Sequence, residues 1–188
     1  MGAGASVIPP EFEALSAEEK EAINAKYGEL TGAGKSEEEA VAALKEEFGR
    51  TVGQCLCGAV KLTVIGKPEV CAICHCNSCR HWTGSMMLVN LFDPSKVSVE
   101  GEMFTFKLTE ESISHRKTCA VCKSPVMNDH THSMNKIDVC GGVLNQKFEP
   151  TMHLNYGESI FAIKDGKPKF KDMPAPFGGS GEMIDEEQ

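Results

Sequence analysis

Seven of the nine cysteines in this 188-residue chain fall into three short clusters: Cys55-x-Cys57, Cys74-His75-Cys76-x-x-Cys79 and Cys119-x-x-Cys122. Thiolate is the softest side-chain ligand, and close pairs of it are how proteins hold zinc. A closed structural zinc site takes four ligands, whereas a catalytic zinc takes three from the protein and keeps a fourth position open. Seven sulfurs therefore suit two ions, one in each kind of site. Disulfides are the alternative in a secreted chain. The N-terminus has no basic-then-apolar signal pattern, so the expectation is a cytoplasmic chain whose cysteines bind metal.

The charge is unevenly placed. Residues 1–50 carry a balance of −6 and residues 173–188 hold four acids and no bases, while residues 51–172 balance at +2. An acidic arm and tail thus flank a near-neutral body, which lacks the basic stripe of a nucleic-acid binder. No run approaches the ~20 apolar residues that span a bilayer. The division expected is a helical arm over 1–50, a zinc domain over 51–173 and a disordered acidic tail over 174–188.

In the arm, Ser16-Ala17-Glu18-Glu19 and Ser36-Glu37-Glu38-Glu39 are capping boxes, in which serine and the glutamate three residues on satisfy each other's backbone amides. Ile23, Tyr27 and Leu30 follow the first as an apolar stripe, and Val41, Leu44 and Phe48 follow the second, before Gly49 stops the helix. From Thr51 the texture changes to short alternating runs. Val60–Val64, Met86–Leu91, Val97–Val99, Met103–Leu108 and Ile137–Val139 all read as strands, so the body is mainly β. Alternation puts Phe104 and Phe106 on one face, where ordinary burial is expected.

Cys55-x-Cys57 and Cys119-x-x-Cys122 are expected to close one tetrahedral, structural site across the sheet. Cys74, Cys76 and Cys79 come from a single six-residue segment and can ligate a second ion together. Three thiolates donate much charge to a metal, which weakens its power to acidify water. Such a site suits capture of a substrate thiol better. A closed site completed by Cys71 or His75 remains open as the other reading.

Gly53-Gln54-Cys55-Leu56-Cys57-Gly58, then Cys74-His75-Cys76-Asn77-Ser78-Cys79-Arg80-His81-Trp82-Thr83-Gly84, then Cys119-Ala120-Val121-Cys122 resemble the glutathione-dependent formaldehyde-activating enzyme family, which includes the centromere protein V relatives. Met152-His153-Leu154 and Asp165-Gly166-Lys167-Pro168-Lys169-Phe170 resemble its C-terminal signature, so the likeness covers residues 51–173. The resemblance implies a β-tent-like zinc fold, to which the helical hairpin is an addition. It also implies a structural zinc on Cys55, Cys57, Cys119 and Cys122, and a catalytic zinc on Cys74, Cys76 and Cys79. The implied activity joins formaldehyde to glutathione as S-hydroxymethylglutathione, a carbon–sulfur lyase reaction run in reverse, with a glutathione-like thiol and an aldehyde as partners. Arg80, Lys123 and Lys136 are candidate cations for the substrate's anionic ends. His75, His81, His153 or water are candidates for proton transfer. Lys123 stands where the family usually has glycine. A different class of function, a non-catalytic zinc module for protein interaction, would not need the three-cysteine set.

Two cysteines remain. Cys140 reads as a buried small hydrophobe, and nothing around it matches the catalytic segment of the zinc-bearing methionine sulfoxide reductases. Trp82, just beyond the middle cluster, reads as a wall of the site or as core. Met1-Gly2-Ala3-Gly4-Ala5-Ser6 fits the N-myristoylation pattern, and one such chain would give only weak membrane association.

Overall fold

The computed structural model describes Phe12 and residues 15–185. They divide into two compact units: one runs to Arg50 and includes Ile65–Lys67, and the other holds Thr51–Val64 and the chain from Pro68. The Gly2 pattern lies outside the described residues.

The first unit is a helical hairpin of α1 (Ala17–Gly32) and α2 (Glu37–Phe48). Both capping boxes form: Ser16 and Ser36 accept from the amides of Glu19 and Glu39, whose carboxylates accept from the serine amides in return. Ile23 and Leu44 are buried with Phe12 and Leu15, and Tyr27, Leu30 and Phe48 pack against them. The stripe on α2 differs from expectation by one position, because Ala40 is fully buried and Val41 is not. Ala40, Leu44 and Phe48 recur at i, i+4 and i+8, and Val41 sits about 100° around the helix from Ala40.

The second unit is built on two sheets. β1 (Arg50–Gln54), β2 (Lys61–Ile65) and β5 (Val97–Glu100) form a three-stranded sheet in the order β1-β2-β5. The larger sheet contains β3 (Val70–Cys74), β4 (Met87–Phe92), β6 (Met103–Phe106), β7 (His115–Cys119), β8 (Pro125–Asp129), β9 (Ile137–Cys140) and β10 (Met152–Leu154), in the order β10-β3-β4-β9-β8-β7-β6. β10 runs parallel to β3, and the other pairings are antiparallel. Val60, Leu62 and Val64 from the small sheet meet Phe92, Val126 and Val139 from the large one in a core that also takes in Cys55 and Cys119. Two short helices, α3 (Asn77–Thr83) and α4 (Thr131–Met134), interrupt the strands.

Two expectations are corrected here. Phe104 and Phe106 do share a strand, but they are 56% and 47% exposed, because β6 is the outer edge of the large sheet. Of the segment expected to be a disordered tail, residues 174–185 carry structure. A 3-10 turn spans Ala175–Phe177, Met183 bridges Phe170, and the amides of Lys171 and Ile184 bond the carbonyls of Glu182 and Lys169. The physical reason is Asp172, whose carboxylate accepts from both the amide and the hydroxyl of Ser180 and turns the chain back. Among the described residues no helix is long and apolar enough to cross a membrane.

Candidate metal centres and the cleft beside them

Cys55 and Cys57 lie in the turn after β1, Cys119 ends β7, and Cys122 sits in the turn before β8. The fold brings these four sulfurs within 4.8 Å of one another. Cys57 Sγ lies 3.6 Å from Cys55 Sγ and 3.8 Å from Cys119 Sγ. An ideal tetrahedron with zinc–sulfur bonds of about 2.3 Å has sulfurs about 3.8 Å apart, so the spacing suits a shared ion and is far too long for a disulfide. All nine cysteines are free. The amides of Val60 and Val121 point at Cys55 Sγ and Cys119 Sγ, and the Ser124 hydroxyl draws the Cys122 thiol down to about 5. Each contact favours thiolate.

The second cluster forms where β3 runs into α3. Cys74 ends the strand, Cys76 caps the helix by accepting the Cys79 amide at 3.2 Å, and Cys79 lies one turn on. These three sulfurs also lie within 4.8 Å of one another. Neither candidate for a fourth ligand joins them. Cys71 is three residues before Cys74 on an extended strand, so its side chain leaves the opposite face, and the His75 ring is turned away to His153. Among the described residues the cluster is three cysteines. Hydrogen bonds from Cys74 and Cys79 hold the Cys76 thiol down to about 2, while Cys76 and Cys79, with burial, push the Cys74 thiol far up. A bound divalent cation would let all three be thiolates, which is the fit expected of a metal site.

One cation the sequence reading overlooked stands against this cluster. Arg116, on β7 and nearly buried, places both terminal nitrogens 3.8 Å from Cys79 Sγ. It donates to Ser78 Oγ at 2.7 Å and Asn128 Oδ1 at 3.0 Å and lies 4.5 Å over the Trp82 ring. Asn128 in turn donates to Asp138, which also accepts the Asn90 amide. A buried polar row from β4 through β9 and β8 therefore aims the guanidinium at the sulfurs. Burial pushes the Asp138 carboxyl up. Of the cations expected, Arg80 is nearest in sequence but is held by the His75 carbonyl and the Asn77 side chain. Lys123 donates to Ala120 O beside the four-cysteine cluster, and Lys136 pairs with Glu69. Lys123 and Lys136 are thus not gathered at the three-cysteine site.

A cleft of about 740 Å³ opens next to Arg116, walled by Ser78, His81, Trp82, Phe106 and Ile113. Trp82 lines this cleft and also packs against the core around Cys74, Cys79 and Met87, so both of its readings apply. His81 faces this cleft, whereas His75 and His153 are both fully buried and bonded to each other. Burial, and then the neighbouring His153, Arg80 and Lys169, push the His75 imidazole down to about 4.

Two sheets tied at a four-sulfur knuckle, with a three-sulfur cluster at a strand end, define a mainly β zinc-type fold. The chain belongs to the glutathione-dependent formaldehyde-activating enzyme family, whose sequence model matches residues 50–158. A search of curated proteins finds no match. Among solved structures, a Rhodobacter sphaeroides protein is 18% identical over 52% of this chain and 90% of its own length, with a TM-score of 0.41.

Proposed function

We propose that this chain is a zinc-dependent carbon–sulfur lyase that forms or cleaves a thiol–carbonyl adduct of the S-hydroxymethylglutathione type. The observation that carries the reading is the three-cysteine cluster with no fourth protein donor among the described residues. Cys55, Cys57, Cys119 and Cys122 would hold a structural zinc, and Cys74, Cys76 and Cys79 a catalytic one. When bound, the second ion would lower the pKa of a thiol drawn to its fourth position.

The surrounding residues bind and orient. Arg116 supplies fixed positive charge at the sulfurs, and Trp82 and Phe106 wall a cleft large enough for a substituted adduct. In the synthetic direction the sulfur lone pair forms the carbon–sulfur bond, and the carbonyl π pair moves to oxygen. That oxygen takes up one proton in place of the one the thiol gave up. His81, which lines the cleft, would exchange that proton with solvent.

The test is a zinc titration of the metal-free chain, followed by an assay of formaldehyde consumption with and without glutathione. Two equivalents of zinc and thiol-dependent consumption are expected, and Cys76→Ser should keep one equivalent while losing turnover by at least ~100-fold. One equivalent in the unsubstituted chain, or consumption indifferent to thiol, would overturn the reading.

A further inference from the structure

The segment that holds the three-cysteine cluster is anchored from behind. His75 lies between Cys74 and Cys76, and its amide bonds Leu154 O at 2.9 Å, so the pairing of β3 with β10 continues past the strand end. In extended chain, neighbouring side chains leave opposite faces. Cys74 and Cys76 can turn toward a common ion only while His75 turns away from it.

His75 is held in that direction by a row of polar groups that begins at two buried histidines and reaches the surface at Asp165. Its Nε2 lies 2.8 Å from His153 Nδ1, His153 Nε2 lies 3.0 Å from Asp165 Oδ2, and Asp165 Oδ1 accepts from Lys169 Nζ at 3.0 Å. Both histidines are fully buried and Lys169 is nearly so, while the Tyr156 ring stands edge-on to both imidazoles at 4.9 and 5.5 Å. The outer members come from the segment 165–169, which runs beside β10 through the bonds His153 N to Pro168 O and Phe170 N to His153 O. His153 Nε2 faces the Asp165 carboxylate, and His153 Nδ1 and His75 Nε2 face each other across one hydrogen bond. Each ring is thereby fixed in one orientation. Burying two imidazoles and an ammonium is costly compared with an apolar packing of similar shape, and this row ends on the one residue between two sulfurs.

We infer that His153, Asp165 and Lys169 are positioning residues for the three-cysteine site, acting through His75 to hold Cys74 and Cys76 turned toward a shared metal ion. The inference rests on the reading of those cysteines as a metal site. It assigns the C-terminal segment a task in metal affinity, and none in contact with substrate.

Competitive titration of the full chain with zinc against a chromophoric chelator tests it, together with the visible spectrum of the cobalt(II)-loaded chain. In Asp165→Asn the second equivalent of zinc should bind about 10–100-fold more weakly with the first unchanged. The cobalt bands of the second equivalent should shift, and Asp165→Glu should restore part of the affinity. Lys169→Met, which removes the outermost link along with the bond to Lys167 O and the contact with the Tyr156 ring, should have a smaller effect of the same sign. Two unaltered equivalents in Asp165→Asn would overturn the inference. So would joint weakening of both equivalents, or loss of the fold, since either assigns the row to the fold at large. A single equivalent in the unsubstituted chain would instead overturn the metal reading beneath it.

Discussion

Lys123 occupies a backbone conformation that few side chains tolerate. Its φ is +62°, in the left-handed region, because the turn between Cys119 and Cys122 must bring both sulfurs to one point. The Lys123 amide bonds Cys119 O at 3.0 Å to close that turn. An L-residue in this region costs roughly 1–2 kcal/mol, and the extra freedom of glycine in the unfolded chain takes back about 0.5–1 kcal/mol. Lys123→Gly should therefore stabilise the zinc-loaded protein by roughly 0.5–1 kcal/mol. Its exposed side chain makes only the bond to Ala120 O and a contact 5.9 Å from the Phe104 ring, so little is lost. Thermal unfolding of the two proteins measures the difference, and equal or lower stability for the glycine variant would show that the turn is not strained at this residue.

At the scale of elements, α3 explains why a cysteine is more than a ligand here. The helix has seven residues and an apolar stripe too short to be read as periodic, so its existence was hidden inside the Cys-His-Cys-x-x-Cys spacing. Its first turn depends on Cys76 Sγ accepting the Cys79 amide, the role that serine or aspartate oxygen plays at ordinary helix starts. Cys76→Ser can keep that bond while removing a soft donor, whereas Cys76→Ala removes both. With one equivalent of zinc on the four-cysteine site, the serine variant should be about 1 kcal/mol more stable than the alanine variant by denaturant unfolding. Equal stabilities would mean that the sulfur does not cap the helix. The same scale shows what spacing alone can reveal. The two sulfur clusters were legible because Cys-x-x-Cys knuckles are local. Arg116 was not, since it lies 37 residues from Cys79 and reaches it only through the pairing of β7 with β8 and of β8 with β9. The contact of His75 with His153 spans 78 residues and depends on the parallel docking of β10. Alternation correctly paired Phe104 with Phe106, but a strand pattern does not say whether a neighbour will cover the face.

Across the second unit as a whole, the two sulfur clusters sit in different mechanical positions. Cys55 and Cys57 belong to the turn joining β1 to β2 in the small sheet, while Cys119 and Cys122 belong to the β7–β8 turn of the large one. A metal held by these four joins the sheets at the edge of their shared core, where Cys55 and Cys119 are themselves buried. The ligands of the other cluster come from one strand end and one short helix, so a metal there closes no long loop. Loop-closure cost grows with the separation joined, and Cys57 and Cys119 are 62 residues apart. A structural zinc in a small finger supplies about 10–16 kcal/mol of folding free energy. This unit has an apolar core of its own, and a contribution of about 5 kcal/mol corresponds to a fall of roughly 10–20 °C in Tm. Cys57→Ser should produce a fall of that order, and Cys76→Ser less than about a third of it, in scans of zinc-loaded protein at one pH and one zinc concentration. Similar falls for both variants would deny the four-cysteine cluster its special part in joining the sheets. A larger fall for Cys76→Ser would move the structural role to the three-cysteine cluster, and the division of labour between the two sites would then be reversed.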